Sequence, residues 1–164
     1  MSLQQILSEI RTHDGLLELA PSPGSEQPEV SWGDHFFYYA PDGRVPRNRQ
    51  PYATITTKDY PDDAQSRLGA EERWRLNIHV GPQLFTELLG YPPEQIDGSR
   101  VDYAAADVFL PHPLYGAYGW ICVVNPGRAT IGPAREALRR AYQADRRRVE
   151  RRRSRSAASR NECP

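Results

Sequence analysis

Apolar residues recur at helical spacing in three parts of the chain and at strand-like alternation in six others. Leu3, Ile6, Leu7 and Ile10 draw one apolar stripe along a first helix. Ser2 and Gln5 have the form of a capping box, in which each side chain accepts the other's free backbone N–H. Asp14-Gly15 predicts its stop, because glycine enters the left-handed conformation cheaply. Leu84, Phe85, Leu88 and Leu89 mark a second, short helix, opened by Gly81-Pro82 and ended by Gly90. Ala134, Leu138, Ala141 and Tyr142 mark a third, which opens at Thr130, Gly132 or Pro133. Strands are predicted over 16–20, 30–40, 52–59, 73–80, 107–110 and 118–125. Loops fall at 21–29, 44–51, 60–72 and 91–105, and Pro41-Asp-Gly43 signals a turn.

The order α-β-β-β-β-α-β-β-α, with neighbouring strands close in sequence, predicts an α+β fold. An antiparallel β-sheet carries the N- and C-terminal helices on one face, and the short helix lies between strands. No internal repeat of solenoid length is visible.

Composition changes this picture at one end. The chain has 164 residues, of which 38% are hydrophobic and 26% charged. Its formal charge of zero is a cancellation: residues 135–164 hold 11 of the 21 basic residues and 4 of the 21 acidic ones. Residues 1–145 are expected to form a single α+β domain. Residues 146–164, rich in Arg and Ser, read as a helix that frays into disorder, because like charges repel at successive turns. Cys122 lies in an apolar strand pattern and Cys163 at the extreme end, so no disulfide framework is expected. The start lacks the basic and apolar runs of a signal peptide, and no apolar run approaches membrane-spanning length. A reduced, cytoplasmic protein is the expectation.

Candidate chemistry lies where charged or amide side chains interrupt strand patterns. In the strand predicted over 30–40, alternation puts Trp32, Asp34, Phe36 and Tyr38 on one face. A carboxylate on an aromatic face is costly unless paired, so Asp34 either caps a nearby turn or faces a ligand walled by rings. Thr54, Thr56 and Lys58 share a face. Lys58 would approach Asp34 or Glu29 if these strands pair, as a structural ion pair or as a cation for a ligand. Arg75, Asn77 and His79 alternate with Leu76, Ile78 and Val80, so a polar row backs onto a core row. That row is either solvated surface or the floor of a polar pocket. His112, between Pro111 and Pro113, is held rigidly, and Tyr115 and Trp120 follow it. The hairpin is either a packed turn or the wall of a site.

Other chemistries lack support. The four histidines show no metal-ligand spacing, so no metal site is expected. Walker, G-x-G-x-x-G and G-x-S-x-G patterns are absent, and no cofactor is expected. The arginines at 146, 147, 148, 151, 152 and 153 (Arg146, Arg147, Arg148, Arg151, Arg152 and Arg153) could contact phosphates in a salt-sensitive way, or simply be solvated.

Four motifs together carry a resemblance: Trp32-Gly-Asp-x-Phe-Phe-Tyr-Tyr-Ala-Pro-Asp-Gly43, Pro51-Tyr-Ala-Thr-Ile-Thr-Thr-Lys-Asp-Tyr-Pro61, Arg75-Leu-Asn-Ile78, and His112-Pro-Leu-Tyr-Gly116 followed by Gly119-Trp120. Over residues 2–145 the chain resembles an uncharacterised family of small actinobacterial proteins, which implies no activity; the tail has no counterpart there. In element order it also resembles the MmcQ/YjbR-like group, a CyaY-like α+β sandwich for which DNA binding has been suggested. That resemblance rests on the N-terminal helix, the meandering sheet, the Trp-bearing hairpin and a closing helix with Ala141 and Tyr142. Fold likeness does not transfer function.

Three readings remain in this order. The first is a binding module with a polar-aromatic site for a small molecule or partner protein, built from Asp34, Phe36, Lys58, Arg75, Asn77, His112, Tyr115 and Trp120. The second is nucleic-acid binding by the basic C-terminal arm. The third is a small enzyme using Asp34 or His112 as acid or base.

Overall fold

The computed structural model describes residues 1–161; residues 162–164, and with them Cys163, lie outside the described residues. Helix α1 (Leu3–Ile10) opens on the expected capping box: Gln5 N donates to Ser2 Oγ at 3.2 Å, and Ser2 N donates to Gln5 Oε1 at 2.8 Å. It ends at Ile10, earlier than Asp14-Gly15 suggested. Gly15 instead turns the chain into strand β1 (Leu16–Leu19) at φ +69°, where any Cβ would lie 2.6 Å from the Tyr39 ring.

Strands β2 (His35–Tyr39), β3 (Ala53–Thr56) and β4 (Arg75–His79) follow as an antiparallel meander. Helix α2 (Gly81–Leu89) ends on left-handed Gly90, as predicted. The short β5 (Leu110–Pro111) and β6 (Trp120–Val124) complete a six-stranded sheet in the order β1-β2-β3-β4-β6-β5. Every strand pairing is antiparallel. All peptide bonds of the described residues are trans.

Several predicted strands are shorter than their patterns. Residues 30–34 do not join β2: Glu29–Ser31 form a 3-10 turn, and Gly33 takes φ +89°. The strand alternation that placed Trp32 and Asp34 in a row with Phe36 therefore fails there. It holds from His35 onward. The stretch at 107–109 is also outside the sheet strands. Asp107 has φ +55°, and its carboxylate accepts from the N–H groups of Gly127, Ala129 and Thr130 and from the Thr130 hydroxyl. It thereby satisfies donors left free at the start of the last helix.

That helix, α3, runs from Ile131 to Asn161, roughly 46 Å at 1.5 Å per residue. It is continuous well past residue 146, where arginine repulsion predicted fraying. Ion pairs such as Arg146–Glu150 at 2.9 Å offset part of that repulsion.

One face of the sheet carries Phe37, Tyr39, Ala53, Ile55, Leu76, Ile78 and Ile121, packed with Ile6, Leu7 and Ile10 of α1 and Ala134, Ala137, Leu138, Ala141 and Tyr142 of α3. Each large aliphatic side chain buried there contributes about 1.5–3 kcal/mol. Tyr52 sits at a bend just before β3, and its ring joins this face beside Phe37 and Tyr142. The fold is α+β, with its helical layer on one side of the sheet.

Candidate functional site

The opposite face of the sheet is built from the alternate residues of the same strands. The pairings Phe36–Thr54, Thr54–Asn77 and Asn77–Cys122 run as one row across four strands, and Thr56–Arg75 and His79–Trp120 flank it. Of these, Thr54, Thr56, Arg75 and Asn77 form the floor of a cavity of about 740 Å³, and Cys122 does not line it. Its walls are Phe36, Tyr38 and Tyr60 on one side and Leu114, Tyr115, Tyr118 and Trp120 on the other.

Arg75 is the centre of the floor and is 1% exposed. Nε donates to Asn77 Oδ1 at 2.7 Å, and Nη1 donates to Asp63 Oδ1 and Ser66 Oγ, both at 2.9 Å. Nη2 donates to Asp63 Oδ2 at 2.5 Å and lies 3.3 Å from His112 Nε2. Burial works against a charge on either partner, but the bidentate pairing outweighs it. Asp63 is held below the usual carboxylate range, and Arg75 is raised. Asn77 turns its Nδ2 outward along the floor, donating to Thr54 Oγ1 at 2.9 Å and Thr56 Oγ1 at 3.0 Å.

His112 is 6% exposed and is fixed from behind: the backbone N–H groups of Leu114 and Tyr115 both donate to its Nδ1 at 3.1 Å. The turn after Pro111 thus orients the imidazole, as its rigid setting suggested. Burial first, then the Arg75 charge, lower its pKa to about 3, so the ring is neutral in ordinary solution. The Tyr115 ring lies against it at 4.9 Å, and His79 stacks on Trp120 at 5.4 Å. Tyr118 is 74% exposed at the rim. The loop carrying it is anchored by Gly119, whose carbonyl accepts from the N–H groups of Val80 and Gly81.

The structure therefore brings Phe36, Arg75, Asn77, His112, Tyr115 and Trp120 to one cavity. It does not bring Asp34 and Lys58 there. Asp34 Oδ1 accepts from Thr57 N at 2.7 Å and Thr57 Oγ1 at 2.8 Å, and Oδ2 accepts from the Tyr60 hydroxyl. Lys58 donates to the Trp32 carbonyl and lies 3.7 Å from Asp34. Together they clamp the chain leaving β3 to the chain entering β2. Asp34 reaches the cavity only through Tyr60, which burial and the Asp34 hydrogen bond keep protonated. Of the two acid–base candidates, Asp34 is held in the clamp by Thr57 and Tyr60, and His112 is fixed through Nδ1 with its Nε2 toward Arg75.

Sequence reasoning missed Asp63 and Ser66, which accept from Arg75 alongside Asn77. The signal was present: a guanidinium in a core-flanked strand needs a carboxylate, and Asp62-Asp63 lies in the preceding loop. Alternation alone gave Thr54 and Thr56 no more than a shared face with Lys58. Their role appears only through register with Asn77. Among the described residues, no group of three or more His, Cys, Asp or Glu side chains is arranged to hold a metal ion, and no helix is long and apolar enough to cross a membrane.

The arginines of α3 are elsewhere. Arg146 packs over the Tyr39 ring at 5.8 Å, and Arg148 lies 3.6 Å from buried Asp145. Arg151 donates from Nε to the Arg147 carbonyl at 3.3 Å. Arg152, Arg153 and Arg160 face Arg44, Arg47 and Arg49 across an open groove of about 1290 Å³.

Fold and site together define an α+β protein with a helical layer on one side of its sheet and a polar-aromatic cavity on the other. The chain belongs to DUF6194, a family of unknown function, which matches residues 1–154. The match extends past residue 145 and takes in Arg146 to Arg153. No curated protein and no solved structure matches the chain.

Proposed function

We propose that the protein is a binding module that holds a small organic molecule in the cavity on the sheet face opposite α1 and α3. One observation carries this reading: polar side chains from two adjacent strands, Thr54, Thr56, Arg75 and Asn77, gather with His112 beneath a ring of aromatic walls. A solvated sheet face has no need of a buried guanidinium, and a mostly apolar hollow with a few fixed polar groups is the usual form of a ligand site. The test is a screen of aromatic fragments against the 15N-labelled chain. Compounds that bind should shift the Trp120 indole and His112 imidazole signals, and Tyr118→Ala at the exposed rim should weaken binding with no loss of thermal stability. Shifts confined to other surfaces would remove the reading.

A second reading is favoured by the groove between α3 and the 41–49 loop. Arginines from both sides meet there, with Glu26 and Asp42 as the acidic lining among the described residues. Such a channel suits a phosphate backbone, whose binding weakens steeply with salt. Mobility-shift assays with DNA and RNA at two salt concentrations, on chains with and without residues 146–164, test it. Binding that is absent, or that survives removal of those residues unchanged, would sink it.

A further inference from the structure

The hydrogen-bond arithmetic of the cavity floor narrows the ligand class. His112 Nδ1 accepts from two backbone N–H groups, so the proton of the neutral ring sits on Nε2. Nε2 faces Arg75 Nη2 at 3.3 Å, and Nη2 is itself a donor. Moving the proton to Nδ1 would set it against two donors rather than one. Two N–H groups, both almost fully buried, thus converge with no acceptor between them. The Thr54 and Thr56 hydroxyls accept from Asn77, and among the described residues neither donates to a protein acceptor. The floor is rich in donors that lack acceptors.

Charge decides what kind of acceptor fits. Among the described residues, Arg75 is the single cationic group lining the cavity, and Asp62 and Asp63 line it as well. Asp63 already neutralises the guanidinium through two hydrogen bonds. An anion entering there would meet two carboxylates and one compensated cation, and would lose its hydration. A neutral acceptor meets no such penalty. The walls, Phe36, Tyr115, Tyr118 and Trp120, offer faces and edges to a flat ring.

We propose that the cavity takes an uncharged planar aromatic compound whose carbonyl oxygen accepts from both His112 Nε2 and Arg75 Nη2. This rests on the cavity being a small-molecule site. The compound's oxygen resolves the donor–donor contact, and its ring lies among the aromatic walls.

The test uses the full 15N-labelled chain in two stages. Long-range proton–nitrogen spectra of the free protein should show His112 protonated at Nε2 and bare at Nδ1 from pH 5 to 8. An Nδ1-protonated ring or an imidazolium overturns the proposal. Three probes of matched size are then titrated: 2-quinolinone, naphthalene and 2-naphthoate. Satisfying a buried donor is worth on the order of tenfold in affinity, so 2-quinolinone should bind about ten times more tightly than naphthalene and shift the His112 Nε2 proton. The carboxylate of 2-naphthoate should confer no advantage. If naphthalene or 2-naphthoate equals 2-quinolinone while shifting Trp120, the cavity stands as a binding site and this assignment of its ligand is overturned. If no probe moves a cavity signal, both fall.

Discussion

Replacing Asp63 by Asn strips the buried Arg75 of its counter-charge while nearly preserving shape. Two carboxylate oxygens now receive two guanidinium hydrogens, at 2.9 and 2.5 Å, and both partners are buried. An asparagine can present one oxygen; its amide would face Arg75 donor to donor. Ser66 and Asn77 remain as neutral acceptors but do not neutralise the charge. Breaking a buried pair in this way costs about 3–5 kcal/mol. That is a large part of the roughly 5–15 kcal/mol that holds a domain folded. At about 2–4 °C per kcal/mol for a chain of this size, the melting temperature should fall by on the order of 10 °C. Urea unfolding followed by circular dichroism and tryptophan fluorescence measures the loss. A paired replacement, Asp63→Leu with Arg75→Met, should recover most of it, because the unpaired charge is removed along with its partner. The pH dependence has a definite sign. Asp63 is held below its ordinary value, so its contribution is present above the unfolded pKa of about 3.9 and is lost as pH falls through the lower folded value. Asp63→Asn should therefore flatten the acid limb of the stability profile. A loss below about 1 kcal/mol would mean that water reaches the pair, and the account of the cavity floor would be wrong.

Three other perturbations separate structural roles from binding roles. Asp34→Asn should lower stability by about 1–3 kcal/mol through weakened bonds to Thr57 and Tyr60, while the Trp120 indole signal stays in place; an unchanged melting temperature would count against the clamp. Asp107→Ala should cost about 1–2 kcal/mol by freeing the donors at the start of α3. Because the Asp107 carboxyl is lowered to about 2, chiefly by the Thr130 hydroxyl and the nearby N–H groups, its contribution persists above its unfolded pKa and fades as pH drops through about 2; acid titrations of both chains would reveal it. Gly119→Ala would place a Cβ 2.9 Å from Gly81 Cα at φ +83°, costing at least about 1–2 kcal/mol and displacing the Tyr118 signals; a neutral result would show that this turn does not hold the rim.

Much of the architecture was legible because it depends on local periodicity. The Arg75-Leu-Asn-Ile-His79 alternation announced a strand with one polar and one apolar face, and both faces are where the pattern put them. The Ser2–Gln5 box and the Gly90 stop were equally local. Asp34 misled for a physical reason. Strand alternation was extended backward through Gly33, whose left-handed conformation breaks the pleat, so the carboxylate left the aromatic row. Asp63 and Ser66 were illegible for another. They reach Arg75 from a loop whose path is set by tertiary packing, which no period of two or 3.6 residues encodes.

Thr54 and Thr56 bracket Ile55, and Asn77 is bracketed by Leu76 and Ile78, so floor and interior are interleaved residue by residue on the same strands. Sliding one strand by a single step would exchange the two sets, a rearrangement the buried aliphatics forbid. Even-numbered exchanges along β3 and odd-numbered ones along β4 would instead re-tailor the recess and leave the oily side untouched. Selection can thus alter what such a protein recognises, one alternate position at a time, on an unaltered scaffold.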